Sequence, residues 1–580
     1  MKYPVAIFFL LIMLCLSFTI VTQADAVNDI RTLSHDGVER HYRLFVPDSG
    51  ADTLLIVLHP YASSAYAMQI ITDFNDAAAQ YGFAVAYPDA DGYYWDDGRI
   101  EAGLPPYEEP IDDAGFVLAL VDNLRASLNV ENVYLTGLEN GAGMAYRMAC
   151  TAPEQFEAII PVNFMMWEYH TTDCNPSAAV NIFIITGAEH PLFVPGGEQV
   201  EYLSTGNVFR WMGWQETVNY WRESNNCGED SRDVAPGNPT FYTGCDDDTT
   251  VTFMAIPGAG ANWTRMSDNT LNRFGVDITN VISAYLKGSD WQSLSTPQNA
   301  TESLARSYVL YVPTTYNAQI SAPLVVILHG RLSNANNVAY TSNFNQIAER
   351  EGVIVAYPNA INTTWNYLSG IPDVDSPEYD DDAFIEDMIT DISRDINIDS
   401  DRIYLAGISN GGFMTQRLAC TMQNTFAATV SIGATAFYSI ETTCENTDPI
   451  PHMYIHGTAD TIVRWNGNLA TNNDGRQIYI SYPMPDSINF WIRQNQCSTS
   501  VSQERLPVVD PETTTEILTF TECGQDSALI VYIVYGGGHV WHGSRDNLAE
   551  TLGQNSQDFN SSEVIWSFFS QYSLNQRETQ

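Results

Sequence analysis

At 580 residues the chain is longer than one hydrophobic core can fill, roughly 250–300 residues, so two domains are expected. Hydrophobic residues make up 45% and aromatics 12%, which excludes a disordered chain. The formal charge is −45 and lysine occurs only at Lys2 and Lys287. So acidic a surface repels nucleic acid and anionic lipid, which need clustered Lys and Arg, and is well solvated.

The N-terminus opens with Met1-Lys2-Tyr3-Pro4 and an apolar run from Val5 to Val21. Thr22-Gln23-Ala24-Asp25-Ala26 follows, with alanines at the −3 and −1 positions of a cut after Ala26. This reads as a secretory signal peptide over residues 1–26, leaving an extracellular chain with no stable membrane association. An uncleaved anchor is the alternative, though the run is short for a span of about 20 residues.

Beyond it the chain repeats. Leu54, Leu58 and His59 match Leu324, Leu328 and His329, and Ala86-Tyr87-Pro88 matches Ala356-Tyr357-Pro358. Tyr134-Leu135-Thr136-Gly137 matches Tyr404-Leu405-Ala406-Gly407, Trp95 falls on Trp365 and Trp221 on Trp491, all 270 residues apart. Two copies of one domain are therefore expected, over 27–287 and 302–574, with a polar linker at 288–301. Eight cysteines follow the duplication: Cys150, Cys174, Cys227 and Cys245, then Cys420, Cys444, Cys497 and Cys523. An even number in an exported chain implies disulfides, and four cysteines permit three connectivities. Local bridges are expected: Cys150–Cys174, Cys227–Cys245, Cys420–Cys444 and Cys497–Cys523. With no Cys-x-x-Cys pair, no metal is expected.

In the second copy Tyr308–Val312 alternates as a strand does, and Leu324–Leu328 is a buried apolar run. Asn343–Glu351 is amphipathic, Val353–Tyr357 is apolar, and Ala383–Ile396 has helical spacing. Strand Ile403–Ala406 leads into helix Ser409–Met422, and strands Thr429–Ile432 and Met453–Ile455 follow. Strands alternating with helices predict an α/β fold in each copy, a mostly parallel sheet flanked by helices.

Gly407-Ile408-Ser409-Asn410-Gly411 lies between a strand and a helix, the setting in which G-x-S-x-G forms a nucleophile elbow. A structural turn is the bland reading of the same residues. Acid and base should follow in chain order. Asp460 ends the run His456-Gly457-Thr458-Ala459-Asp460, and His539 follows Gly536-Gly537-Gly538. His539 would take the Ser409 proton while Asp460 fixes the imidazole. His456 would orient its own loop, and His542 would sit on the pocket rim. The oxyanion donors would be the backbone N–H groups of Asn410 and Arg331, with Gly330 the alternative to Arg331.

His329-Gly330, Tyr357-Pro358, Trp365-Asn366, Asp380-Asp381, Gly407–Gly411, His456–Asp460 and Gly536–Trp541 resemble the secreted α/β-hydrolase family of polyhydroxybutyrate depolymerases and feruloyl or acetylxylan esterases. The resemblance spans nearly all of the second copy. It implies two tandem α/β-hydrolase domains and cleavage of polymer-linked esters without a cofactor. Trp541, and with it Trp365, would then wall the substrate pocket. His542 departs from the proline usual in the family.

The first copy lacks this chemistry. Glu139 holds the nucleophile position in Gly137-Leu138-Glu139-Asn140-Gly141, His190 stands for Asp460 and Ala261 for His539. Pro60 in the oxyanion loop has no N–H to donate. A non-catalytic polymer- or carbohydrate-binding protein built on two such folds is the alternative function.

Overall fold

The computed structural model describes residues 27–575 except 93, 100–110, 173, 189, 191–193, 203–206, 229–238, 258, 261–262, 264–275, 290, 296–305, 370–378, 472–476, 510 and 545–551. The expected signal peptide, Ala261 and much of the expected linker lie outside the described residues.

Two nine-stranded sheets organise the chain. In spatial order the first holds Val27–His35, Val38–Val46, Ala84–Pro88, Thr53–Leu58, Asn132–Leu138, Ala158–Val162, Asn181–Gly187, Val251–Ile256 and Thr240–Tyr242. The second holds Tyr308–Tyr311, Ile354–Pro358, Ala322–Leu328, Ile398–Ile408, Ala428–Ile432, His452–Gly457, Leu529–Tyr535, Thr514–Phe520 and Ser502–Arg505. Six central strands in each run parallel. Strands such as Thr53–Leu58 and Ala322–Leu328 are buried along their whole length, so they carry continuous apolar runs rather than alternation.

Element boundaries repeat the 270-residue offset. Helices Ala65–Thr72, Phe74–Tyr81 and Asn140–Thr151 correspond to Ala335–Ser342, Phe344–Glu351 and Asn410–Thr421. Local chemistry starts them alike: Ser64 and Asn334 cap the first pair, accepting from the N–H groups of Ala67 and Asn337. The disulfides are the four local bridges expected. Helices 335–342, 484–494 and 561–569 and the paired strands Asn468–Thr471 and Gln477–Ser481 are elements the periodicity did not mark.

The two sheets differ at one edge. Val38–Val46 is covered by Val27–His35, but Tyr308–Tyr311 ends the second sheet with no further described strand beside it. The first half covers that edge instead. Ser63 Oγ donates to the Leu310 carbonyl at 2.8 Å, and Ser64 Oγ to that of Val312 at 2.9 Å. Asn345 Nδ2 donates to the Ala62 carbonyl at 3.0 Å. Ala62 and Ala67, both 0% exposed, are packed among the core side chains of the second half. Unpaired edge carbonyls invite pairing with another chain, and these contacts occupy two of them.

Candidate active site

Strand Ile398–Ile408 delivers Ser409 at φ 57° and ψ −119°, directly before helix Asn410–Thr421. A side-chain-bearing residue rarely adopts such a backbone, and its surroundings must enforce it. A Cβ on Gly407 would overlap the Gly411 carbonyl, and one on Gly411 would lie 2.5 Å from the Leu328 carbonyl. Both outer positions of the motif are therefore closed to any larger residue. Ser409 N–H donates to the Ile432 carbonyl at 2.8 Å, fixing the elbow against the neighbouring strand end.

Asp460 stands just past strand His452–Gly457. Its Oδ1 accepts from the N–H groups of Ile462 and Val463, both at 2.8 Å. That leaves Oδ2 for His539 Nδ1, 2.7 Å away, and both side chains are buried. The loop carrying His539 is tied down by Gly538 N–H to the Gln554 carbonyl and His539 N–H to that of Leu552, at 2.9 and 2.6 Å. The imidazole rests on Gly433, where a Cβ would come within 3.1 Å of Nδ1. Ser409 and His539 are thus anchored on adjacent residues, Ile432 and Gly433. Among the described residues Ser409 Oγ makes no hydrogen bond, to His539 or to any other group.

Of the three neighbouring histidines, His539 is the one hydrogen-bonded to Asp460. His456 Nε2 is 2.9 Å from the Val463 carbonyl, closing the Asp460 turn, and 3.9 Å from Asp460 Oδ2. His542 Nδ1 accepts from the Ser556 N–H at 3.2 Å. Burial lowers the pKa of each to about 4, leaving both rings neutral in the neutral range. His542 is interior, not on the pocket rim as expected.

The loop expected to supply an oxyanion donor is held by His329, whose Nδ1 meets the Gly330 carbonyl at 2.7 Å and whose Nε2 accepts from Ala360 N–H at 3.0 Å. A Cβ on Gly330 would be 3.3 Å from Ser409 Cβ, so this loop lies against the serine. Neither the Arg331 nor the Asn410 N–H donates to a described protein acceptor. The next residue, Leu332, has φ 61° and is 79% exposed.

The two tryptophans require a correction. Trp365 and Trp541 are each 1% exposed, so they brace the core and do not line an open pocket. The Trp365 indole N–H donates to the His329 carbonyl at 3.0 Å, and that of Trp541 to Ser562 Oγ at 2.9 Å. Asn410 has a role that sequence reasoning missed. Its side chain accepts from the Trp365 N–H at 2.6 Å and donates to the Trp365 carbonyl at 3.2 Å, locking the 365 loop to the elbow helix.

In the first half the elbow geometry persists without the serine: Glu139 has φ 48° and ψ −114°. Beside it lies a buried ionic network with no counterpart among the described residues of the second half. Arg99 donates two hydrogen bonds to Asp97, both 2.8 Å, Tyr169 Oη donates at 3.2 Å, and His170 lies 3.8 Å away. Burial opposes ionisation of Asp97, but Arg99, His170 and Tyr169 together hold its carboxyl below the usual value. The position 270 residues on is Tyr367, stacked on Phe413 at 5.0 Å between ring centres. Asp96-Asp97 beside Trp95 was the available sequence signal, legible only once Arg99 is known to turn inward.

Comparison with known proteins adds a family. The model of the esterase PHB depolymerase family matches residues 306–449. The chain is 28% identical over 228 residues to the putative esterase NocK of Nocardia uniformis subsp. tsuyamanensis, covering 38% of this chain and 66% of that one. It is 29% identical over 191 residues to the probable feruloyl esterase C of Aspergillus oryzae, covering 31% and 66%. The chain thus spans slightly less than two thirds of the length of these relatives. The acetyl xylan esterase from Aspergillus awamori, a solved structure, aligns with TM-score 0.30 at 14% identity, covering 42% of this chain and 97% of that one. The match over residues 306–449 and these relatives make the second half of the chain similar to the esterase family of polyhydroxybutyrate depolymerases and to feruloyl esterases.

Proposed function

We propose that the chain is a serine carboxylic-ester hydrolase whose chemistry lies in its second half, with Ser409 as nucleophile, His539 as general base and Asp460 as the group that orients it. The observation carrying this reading is the 2.7 Å bond between Asp460 and His539 Nδ1, which leaves Nε2 as the basic nitrogen on an imidazole seated one residue from the elbow's anchor. Catalytic hydrogen bonds commonly tighten only with substrate bound, and the Ser409–His539 bond is expected to form at that stage.

Ser409 Oγ attacks the ester carbonyl carbon as its proton passes to His539 Nε2. The carbonyl oxygen becomes an oxyanion facing the Arg331 and Asn410 N–H groups, which need no reorganisation to receive it. Collapse expels the alcohol, which leaves with the proton from Nε2. Water, deprotonated by the same nitrogen, then attacks the acyl-serine and releases the acid. Asp460 stabilises the imidazolium formed in each half-reaction, and no cofactor is called on.

The substrate we infer is an ester-bearing polymer or oligomer outside the cell, with feruloyl, acetyl or 3-hydroxyalkanoyl groups as the classes to test. A neutral polymer is not repelled by a chain of charge −45, and four disulfides fit an oxidising compartment. The first half is read as non-catalytic, because Glu139 replaces the nucleophile. Labelling with a fluorophosphonate probe, followed by peptide mapping, should place the adduct on Ser409. Release of ferulate, acetate and 3-hydroxybutyrate should then be compared. No label on Ser409 and no turnover of any short-chain ester would refute the reading and leave the polymer-binding alternative.

A further inference from the structure

The elbow of the first half is occupied. Glu139 Oε2 accepts a hydrogen bond from Asn336 Nδ2 of the second half at 3.3 Å. Asn336 lies in the first turn of helix Ala335–Ser342, which runs directly out of the Gly330–Asn334 loop. Within the second half that loop is tied by Leu332 N–H to the Thr363 carbonyl, Ser333 N–H to that of Gly330, and Ala335 N–H to Asn359 Oδ1. Glu139 adds a tie from outside the second half, close to where Ser63, Ser64 and Ala62 cover its edge.

We propose that Glu139 is a positioning residue, clamping helix 335–342 and so holding the Gly330–Asn334 loop, with its oxyanion donor, against Ser409. In this assignment the relic elbow of one half has become a docking point for the working site of the other.

A second observation shows what the clamp is built to hold. Asn336 Oδ1 is buried and has no hydrogen-bond partner. A carboxylate offers it nothing, whereas a protonated Glu139 has an O–H to donate, closing a two-bond acid–amide pair. Desolvation pushes the Glu139 carboxyl up in pKa and the Asn336 bond pulls the other way, with a net rise. Both facts favour a neutral, doubly bonded pair. The rule that buried polar atoms are satisfied gives the orphan oxygen this partner.

The catalytic consequence rests on the ester-hydrolase reading, while the clamp itself does not. Full-length E139A, E139Q, N336A and the double variant E139A/N336A are compared for kcat and KM on 4-nitrophenyl butyrate and for Tm. Because small misplacements of oxyanion donors are costly, E139A and N336A should each lower kcat by about tenfold with KM little changed. E139Q can both donate to and accept from Asn336, and should keep most of the turnover. The double variant should lose no more than either single, since both remove one interaction. Unchanged kcat in E139A, loss in E139Q equal to that in E139A, or additive losses in the double variant would each overturn the proposal. Should E139A not fold, N336A breaks the same bond from the other side. If the wild-type chain takes no fluorophosphonate label and turns over no ester, the hydrolase reading fails, and the clamp is then judged on Tm alone. There, non-additivity supports it and additivity overturns it.

Discussion

Gly433 offers the sharpest test of the proposed base. Its φ is 53°, and the position 270 residues earlier is Asn163 at φ 54°, so a turn of this conformation accepts asparagine. Asn163 Oδ1 there accepts from the Gly187 N–H at 2.9 Å, and its own N–H donates to the Ile185 carbonyl as Gly433 N–H donates to that of Ile455. In the second half the space a Cβ would enter is held by His539, with Nδ1 at 3.1 Å and Cε1 at 3.2 Å. G433A should push the ring by a few tenths of an ångström, and with 1 Å errors costing about 10²-fold, kcat should fall by about tenfold. The alanine also suffers about 1–2 kcal/mol of left-handed backbone strain, about 2–8 °C of Tm for a domain of this size. G433N suffers less strain, because asparagine tolerates this backbone, yet its longer side chain fills the imidazole's place. It should fold with a smaller loss of Tm and lose about 10³–10⁴-fold in kcat, the scale seen when a triad member is disabled. The assay is kcat and KM on 4-nitrophenyl butyrate beside the rate of fluorophosphonate labelling. A G433N variant with kcat within twofold of wild type would refute His539 as the base.

Three further outcomes are expected. D460N keeps the shape of the turn but offers the imidazole the wrong partner, and should lower kcat by about 10⁴-fold with little change in Tm; retention of a tenth of the activity in stopped-flow turnover would argue against the assigned role. L332N relieves an exposed leucine held at φ 61° and should raise Tm by a few degrees, from about 1 kcal/mol of relieved strain; if Leu332 contacts polymer, release from an insoluble ester should fall more than hydrolysis of a soluble one. The Glu139 carboxyl is raised above its ordinary 4.5, so its contribution to stability is complete below that value and is lost as pH rises through the elevated folded pKa. Besides desolvation, Asn336 is the one described group bearing on that ionisation. Wild-type Tm should therefore fall relative to E139Q as pH is raised from 4.5, and parallel curves for the two proteins would contradict it.

Much of this architecture was legible because it is written locally. Leu324–Leu328 is an unbroken apolar run because its strand is buried on both faces, and Gly407 and Gly411 are glycines because carbonyls occupy the space beside them. The local cysteine pairs and the position of His539 after three glycines are likewise short-range facts. What sequence left dark depends on contacts across hundreds of residues. Trp365 looks like a pocket wall until its indole is seen donating to His329 and its backbone bonded to Asn410. Helix 335–342 is short and buries only Ala335, Val338, Ala339 and Ser342, too few apolar positions to show a helical period. Arg99 and Asp97 read as ordinary surface charges, and only the fold turns them into a buried pair.

The two elbows separate scaffold from chemistry. Glu139 and Ser409 share a backbone conformation within about 10° in φ, although only one of them is a proposed nucleophile. Strain at such a position is often taken as a mark of function. Here the flanking glycines enforce it in both halves: a Cβ on Gly137 would strike Gly141, as one on Gly407 would strike Gly411. The conformation therefore belongs to the packing of strand on helix and does not require a serine. Activity must depend on the side chains presented there, and in the first half the side chain presented is a carboxyl bonded across to Asn336. A strained turn kept by packing can carry a side chain with a different partner, and Asn336, the partner here, lies in the first turn of helix 335–342, directly after the Gly330–Asn334 loop.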